Sequence, residues 1–336
     1  MGKYIIILLS AILSATAIHG AGSKVATTAA QFLKIEIGAR ALAMGGAFVA
    51  TADDATATFW NPAGLARLQS REVAIIHTDW LADMDLEYGS IVVPAGDQVL
   101  GLSLTVLDYG EWEVTTIDAP EGTGERFGAQ DLAFGLSYAR SLTDRFSFGA
   151  NVKYINQRIS HMSASAIAFD IGTLFTTQFK GLRIGMCFSN FGNKMSMYGR
   201  DTKKFHDVGP EIEGNNERIN AYLETEEWDL PLSFRVGVAM DVIDNDYSKL
   251  ILAVDTVAPN DNLEYVNTGF EYGFKKFLFL RAGYKSLFRQ DNEDGLTFGT
   301  GIRYAINNQM KIKFNYAYAD FGRLDNVQRF TLGFDF

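Results

Sequence analysis

Cysteine is almost missing from this 336-residue chain. The single Cys187 excludes an internal disulfide, and its distance from the start excludes a lipid-modified N-terminal cysteine. Beyond the first residues no apolar run approaches the ~18 residues of a membrane-spanning helix, which excludes a helical membrane protein. Basic charge is short too: thirty Lys and Arg against forty Asp and Glu leave a formal net charge of −10. That balance argues against a nucleic-acid partner, which would need a basic face. Disorder is excluded by 47% hydrophobic against 21% charged residues. With only six prolines, the chain instead holds thirty-two Gly, twenty-five Phe and fourteen Tyr. Aromatic strands thinned by glycine are the composition of an all-β chain, as closed barrels often are.

The signs of catalysis are also sparse. His19, His77, His161 and His206 are scattered, and no Cys/His spacing fits zinc. There is no G-x-S-x-G elbow and no phosphate-binding glycine loop with its lysine. The expectation is a protein that is not an enzyme and carries no cofactor and no metal.

Residues 1–21 have the layout of an export signal: Met1-Gly-Lys3, an apolar stretch from Tyr4 to Leu13, then Ser14-Ala15-Thr16-Ala17. Cleavage falls after Ala17 or near Gly20 and Ala21. Residues 22–71 are rich in Ala, Gly and Thr and read as short helical turns joined by glycine corners. From Glu72 to Phe336 the period becomes two, which is the signature of strands with two different faces. In 145–156, for example, Phe146, Phe148, Ala150, Val152 and Tyr154 share one face, and Arg145, Ser147, Gly149, Asn151 and Lys153 the other.

A soluble sandwich also alternates, so connections and ends must decide. Fourteen strands are expected near 72–79, 85–94, 98–117, 129–140, 145–157, 163–176, 181–190, 231–243, 248–257, 262–274, 277–287, 295–306, 309–319 and 326–336. Tight turns such as 95–97, 141–144 and 307–308 alternate with mostly longer links such as 118–128, 288–294 and above all 191–230. This is the layout of a closed antiparallel outer-membrane β-barrel with an even strand number and both chain ends at the periplasmic rim. The last strand places Phe330, Leu332, Phe334 and the terminal Phe336 outward, and so resembles the C-terminal signal that the barrel assembly machinery reads. Outer-membrane lipid and that machinery are the expected partners.

Gly38-Ala-Arg-Ala-Leu-Ala-Met-Gly-Gly-Ala-Phe48 and Asp53-Asp-Ala-Thr-Ala-Thr-Phe-Trp-Asn-Pro-Ala-Gly64 resemble the N-terminal region of the PorV/PorQ family, within the FadL-like outer-membrane proteins. The resemblance implies a barrel of about fourteen strands, residues 72–336, with residues 22–71 folded inside as a plug. The plug motif then comprises Gly45, Gly46, Asn61, Pro62, Ala63 and Gly64. A fourteen-strand lumen is too wide to be filled by its own side chains, which is consistent with such a plug. Asn61-Pro62-Ala63 is expected to cap a turn and hold register.

The lumen face is expected to carry Asp131, Asn151, Lys153, Asp170, Arg235, Asp241, Asp255, Glu271, Arg281, Lys285, Arg303, Lys311 and Lys313, mixed charges that suit binding a plug better than selecting an ion. The long 191–230 link has an acidic run that includes Glu211, Glu213, Glu217, Glu224, Glu226 and Glu227. It also places Tyr198, Tyr222 and Trp228 outside the membrane as candidate partner-binding residues. Trp80 and Trp112 are also expected near or beyond the membrane edge. The resemblance implies a PorV-type component that binds, shuttles or docks type IX secreted cargo or its translocon. The other implied class is a FadL-like transporter of hydrophobic small molecules.

Overall fold

The computed structural model describes residues 25–209, 218–289, 293–307, 309–324 and 326–336. The expected export signal, residues 1–21, and the acidic Glu211, Glu213 and Glu217 lie outside the described residues.

Seventeen strands occur among the described residues, fourteen of them long. The first seven long strands are β1 (Glu72–Asp79), β2 (Asp85–Ala95), β3 (Gln98–Glu113), β4 (Arg126–Ser141), β5 (Phe146–Ile159), β6 (Met162–Thr176) and β7 (Arg183–Gly192). Three short ones, β8 (Tyr198–Gly199), β9 (Lys203–His206) and β10 (Ile219–Tyr222), occupy the long link. The wall then resumes with β11 (Ser233–Asp244), β12 (Ser248–Pro259), β13 (Tyr265–Phe274), β14 (Leu278–Leu287), β15 (Leu296–Ala305), β16 (Lys311–Asp320) and β17 (Asn326–Asp335).

Each long strand pairs antiparallel with its neighbour, β7 pairs with β11 across the link, and β1 pairs with β17 in the register Glu72 to Asp335. The ring of fourteen is therefore closed, and closure leaves no free strand edge to be satisfied in lipid. β3 ends at Glu113 rather than at 117; its pairing with β4 shifts at a bulge between Asp108 and Glu111, where Gly110 has φ 77°, and resumes as far as Glu113 opposite Arg126.

The side chains are arranged inside out. In β6, Ile167, Phe169 and Ile171 are about half exposed on the outer face while Ala166, Ala168 and Asp170 between them are buried. Such a wall is stable only when its outer face meets lipid and its lumen is filled or wet.

The lumen side of the wall meets residues 31–67. Short helices at Gln31–Lys34, Ala39–Ala43, Ala57–Trp60 and Pro62–Arg67, with the turns between them, carry Phe48, Trp60, Leu65 and a run of alanines, almost all fully buried. Glycine in the wall makes this close approach feasible: a Cβ at Gly149 would overlap the Pro62 backbone, and one at Gly283 would overlap the Met44–Gly45 backbone. Small residues suit both partners, since a backbone pressed against a sheet leaves no room for side chains.

One topological expectation is corrected. The C-terminus does sit at the short-turn rim, where Phe336 exchanges backbone bonds of 3.0 and 3.1 Å with Arg71. The described N-terminal end lies at the opposite rim. Ala29 N donates to Asp229 O at 2.9 Å, and Thr28, Gln31 and Lys34 all hold Asp261, in the link after β12. The segment thus runs the full length of the barrel before entering β1. The sequence hid this because every one of these contacts joins residues far apart in the chain.

Candidate functional site

The N-terminal segment is pinned to the wall by polar contacts at successive depths. Asn61 precedes the turn that begins at Pro62; its Oδ1 accepts from Ala63 N at 3.1 Å. Its Nδ2 donates to Val49 O at 2.9 Å and to Thr173 O of β6 at 3.1 Å. The side chain therefore caps one turn, ties it to an earlier stretch and joins both to the barrel. Pro62 supplies the fixed φ that suits a first helical position. Gly64 lies so close to Ala52 that a Cβ would overlap its carbonyl oxygen. Gly45 and Gly46 have φ of 64° and 76°, where L side chains are strained.

Acidic side chains of the wall hold the segment from outside. Asp255 is fully buried, and its Oδ2 accepts from Phe48 N at 2.7 Å and Val49 N at 2.8 Å. Glu271 accepts two bonds from Arg40, at 2.8 and 2.9 Å, and one from Arg281 at 2.6 Å. Arg40 also reaches Asp53 and Asp54, while Arg281 continues to Asn315 at 2.9 Å. This chain of paired charges crosses from the segment into three strands.

On the other side of the lumen, Lys153 meets Asp170 at 2.8 Å, and Asn151 joins the same carboxylate at 3.1 Å. Asp131 accepts from Tyr109 and Gln157, both at 2.8 Å. Lys313 bridges Glu72 and Asp335 near the chain end, and Asp241 pairs with Arg183. Lys311, expected in the lumen, is exposed because it stands at the first residue of its strand, on the rim. Where the segment begins, Asp261 lies in a link outside the membrane-spanning strands. Burial pushes its carboxyl up, but bonds from Gln31, Lys34 and Thr28 outweigh this and hold it below its ordinary value.

The long link is a second grouping. Tyr198 and Tyr222 meet with ring centroids 5.7 Å apart, and both are more than half exposed. Trp228, also exposed, exchanges two backbone bonds of 2.9 Å with Met195 and so anchors the base of the link. Strands β9 and β10 form a hairpin that additionally exposes Phe205, Ile219 and Leu223. These three were missed in the sequence because the hairpin is short and its alternation is broken by charge.

Trp80 is half-buried and packs edge-on against Phe321 at 5.6 Å. Trp112 is exposed and close to Phe127. His77, read as isolated, contacts Glu87 at 2.6 Å and Asp79 at 2.9 Å on the outer face of β1 and β2. Phe330, Leu332, Phe334 and Phe336 all lie on the outward face of the last strand, alternating with buried Arg329, Thr331 and Asp335.

A closed fourteen-strand wall, apolar outside and polar inside, defines an integral β-barrel of the bacterial outer membrane. Its short turns then face the periplasm and its long links the exterior. The family model described as type IX secretion system protein PorV matches residues 19–258, and the chain belongs to that family. Among solved structures it resembles the CymD monoaromatic hydrocarbon channel at a TM-score of 0.58 and 14% identity, over 90% of this chain and 97% of that one. The Ralstonia pickettii toluene transporter TbuX (TM-score 0.54) and the Pseudomonas putida toluene transporter TodX (0.53) are each 12% identical, covering 89% of this chain and 97% of theirs. At such identity these likenesses establish the fold alone. No curated protein sequence matches significantly.

Proposed function

We propose that this barrel is a binding and docking component of type IX secretion. Residues 22–71 form a plug, and the exterior link 193–232 forms the surface that receives secreted protein or the translocon. The observation that carries this reading, beyond family membership, is the link itself. It is far longer than a hairpin needs, folds into its own small sheet, and presents Tyr198, Tyr222, Phe205 and Leu223 to solvent beyond the membrane. Clustered exposed aromatic and aliphatic groups outside the lipid belt mark interaction sites. A plug suits such a role, because a docking barrel needs rigidity and no open pore.

Photo-crosslinkers at Tyr198 and Tyr222 in native membranes test this. The expected outcome is recovery of a secreted protein or a large translocon subunit, with capture from position 198 lost when 203–222 is replaced by a short turn while the barrel still assembles. Recovery of no exported or translocon protein would overturn it.

A transport reading has one specific observation in its favour. Beneath the exterior rim lies a cavity of about 260 Å³, walled in part by Leu33, Ile35, Trp80 and Phe321. Uptake of an apolar ligand by cells, unaffected by loss of the hairpin, would favour that reading instead.

A further inference from the structure

The long link and the N-terminal segment meet at the exterior rim. Near the wall the two limbs of the link pair with each other, Met195 and Trp228 exchanging two backbone bonds of 2.9 Å. Asp229, the next residue, pairs in parallel with Thr28 and accepts from Ala29 N at 2.9 Å. The return limb is therefore the middle of a three-chain patch, with the N-terminal segment along one edge. Apolar packing joins the same parts: Met195 and Leu230 are buried in one cluster with Phe32, Leu33 and Ile35. The connection after β12 grips both with adjacent residues. Asp261 accepts from Thr28 and Gln31 at 2.8 Å and from Lys34 at 3.0 Å. Asn260 donates to the link, from its backbone to Leu232 O and from Nδ2 to Leu230 O, each at 3.0 Å. From this base the two limbs stay zipped outward: Thr225 Oγ1 donates to Met197 O at 2.7 Å and Leu223 N to Thr202 O at 2.8 Å, and the β9–β10 pairing follows. The outgoing limb is also tied to the wall, through two residue pairs between β8 and β6, but the hairpin pairs with no wall strand. A lone two-stranded hairpin is marginal in water, so the order of its exposed surface depends on the base.

We propose that residues 28–34 are a latch for the exterior link: they order the base on which the hairpin stands, so that latch and link open as one cooperative unit. A partner that requires the ordered hairpin then tightens the latch, and loss of the latch weakens docking by the same coupling, because linkage between two sites is reciprocal. A loaded barrel thereby holds the start of its N-terminal segment more firmly than an empty one. Control of docking rests on the docking reading of the link; the cooperative unit itself does not.

Native-state hydrogen exchange of the full chain in phospholipid nanodiscs tests the unit. In the wild type the amides of Ala29, Met195, Leu223 and Trp228 should open with one free energy and one dependence on urea, below that of the wall strands. The double variant Gln31→Ala/Lys34→Met removes bonds to Asp261 from the side of the segment alone. Protection of all four amides should then fall together, by about tenfold or more for the loss of charged hydrogen bonds. Replacing 203–222 by a short turn should in return lower the protection of Ala29. Loss of protection at Ala29 alone in the double variant would overturn the latch. So would unrelated opening of the four amides in the wild type, which decides the matter if the variant fails to assemble. In native membranes the assembled double variant should give severalfold less crosslinked partner from position 198 than the wild type. Equal capture by both would overturn control of docking while upholding the docking reading, and capture by neither would overturn both, whatever the exchange result.

Discussion

Asn61 shows how much one side chain can hold together. Its three hydrogen bonds join a turn, the Val49 backbone and a barrel strand, so Asn61→Ala leaves buried carbonyls unpaired. At ~1 kcal/mol per lost bond, with more for a stranded polar group, a loss of about 2–3 kcal/mol is expected. It should appear as a lower temperature for the heat-modifiable transition together with faster proteolysis of residues 31–67.

Asp261 makes a separate, pH-dependent prediction. Its folded carboxyl titrates below the ordinary value, so its contribution is present above about pH 4 and fades as pH falls through the depressed value. The protection factors of the amides at residues 28–34, exchange rates corrected for the intrinsic effect of pH, should therefore be constant from neutrality to pH 5 and fall only in stronger acid. Asn61 and Glu271 were legible from the sequence, one through its motif and one through strand parity. The bond from Arg329 to Thr78 was not, because alternation places a side chain on a face but says nothing of partners hundreds of residues away.

Strands were the most readable elements. All fourteen wall strands begin and end within a few residues of the positions that period-two alternation gives, because one face must meet lipid and the other the lumen. The short strands β8, β9 and β10 were not visible, since a segment of two to four residues carries no measurable period. The inward glycines were present in the sequence as a composition bias; only the structure shows that they face a second backbone.

At the end of the chain, Phe336 is exposed on the outer face and its backbone also ties to Arg71. Phe336→Asp should therefore impair insertion while leaving export to the periplasm intact. Wild-type amounts of heat-modifiable mutant barrel extracted from membranes would contradict an assembly role.

The whole molecule is a sleeve with a thread in it. The thread passes from the exterior rim at Thr28 to the periplasmic rim at Arg71, fixed by Asp261, Asp255, Glu271 and Asn61 in turn. Ring closure between β1 and β17 encloses the thread, so wall and thread are expected to assemble together. The buried ion pairs along it are costly to break singly, since removing one partner strands the other charge, which suits a permanent filling better than a gate.

That the N-terminal segment seals the lumen is the central claim, and single-channel recording in planar bilayers tests it most directly. The intact barrel should show little or no conductance, and a barrel lacking residues 26–69 should open a wide, stable pore. An intact barrel that already conducts as a wide pore would contradict it.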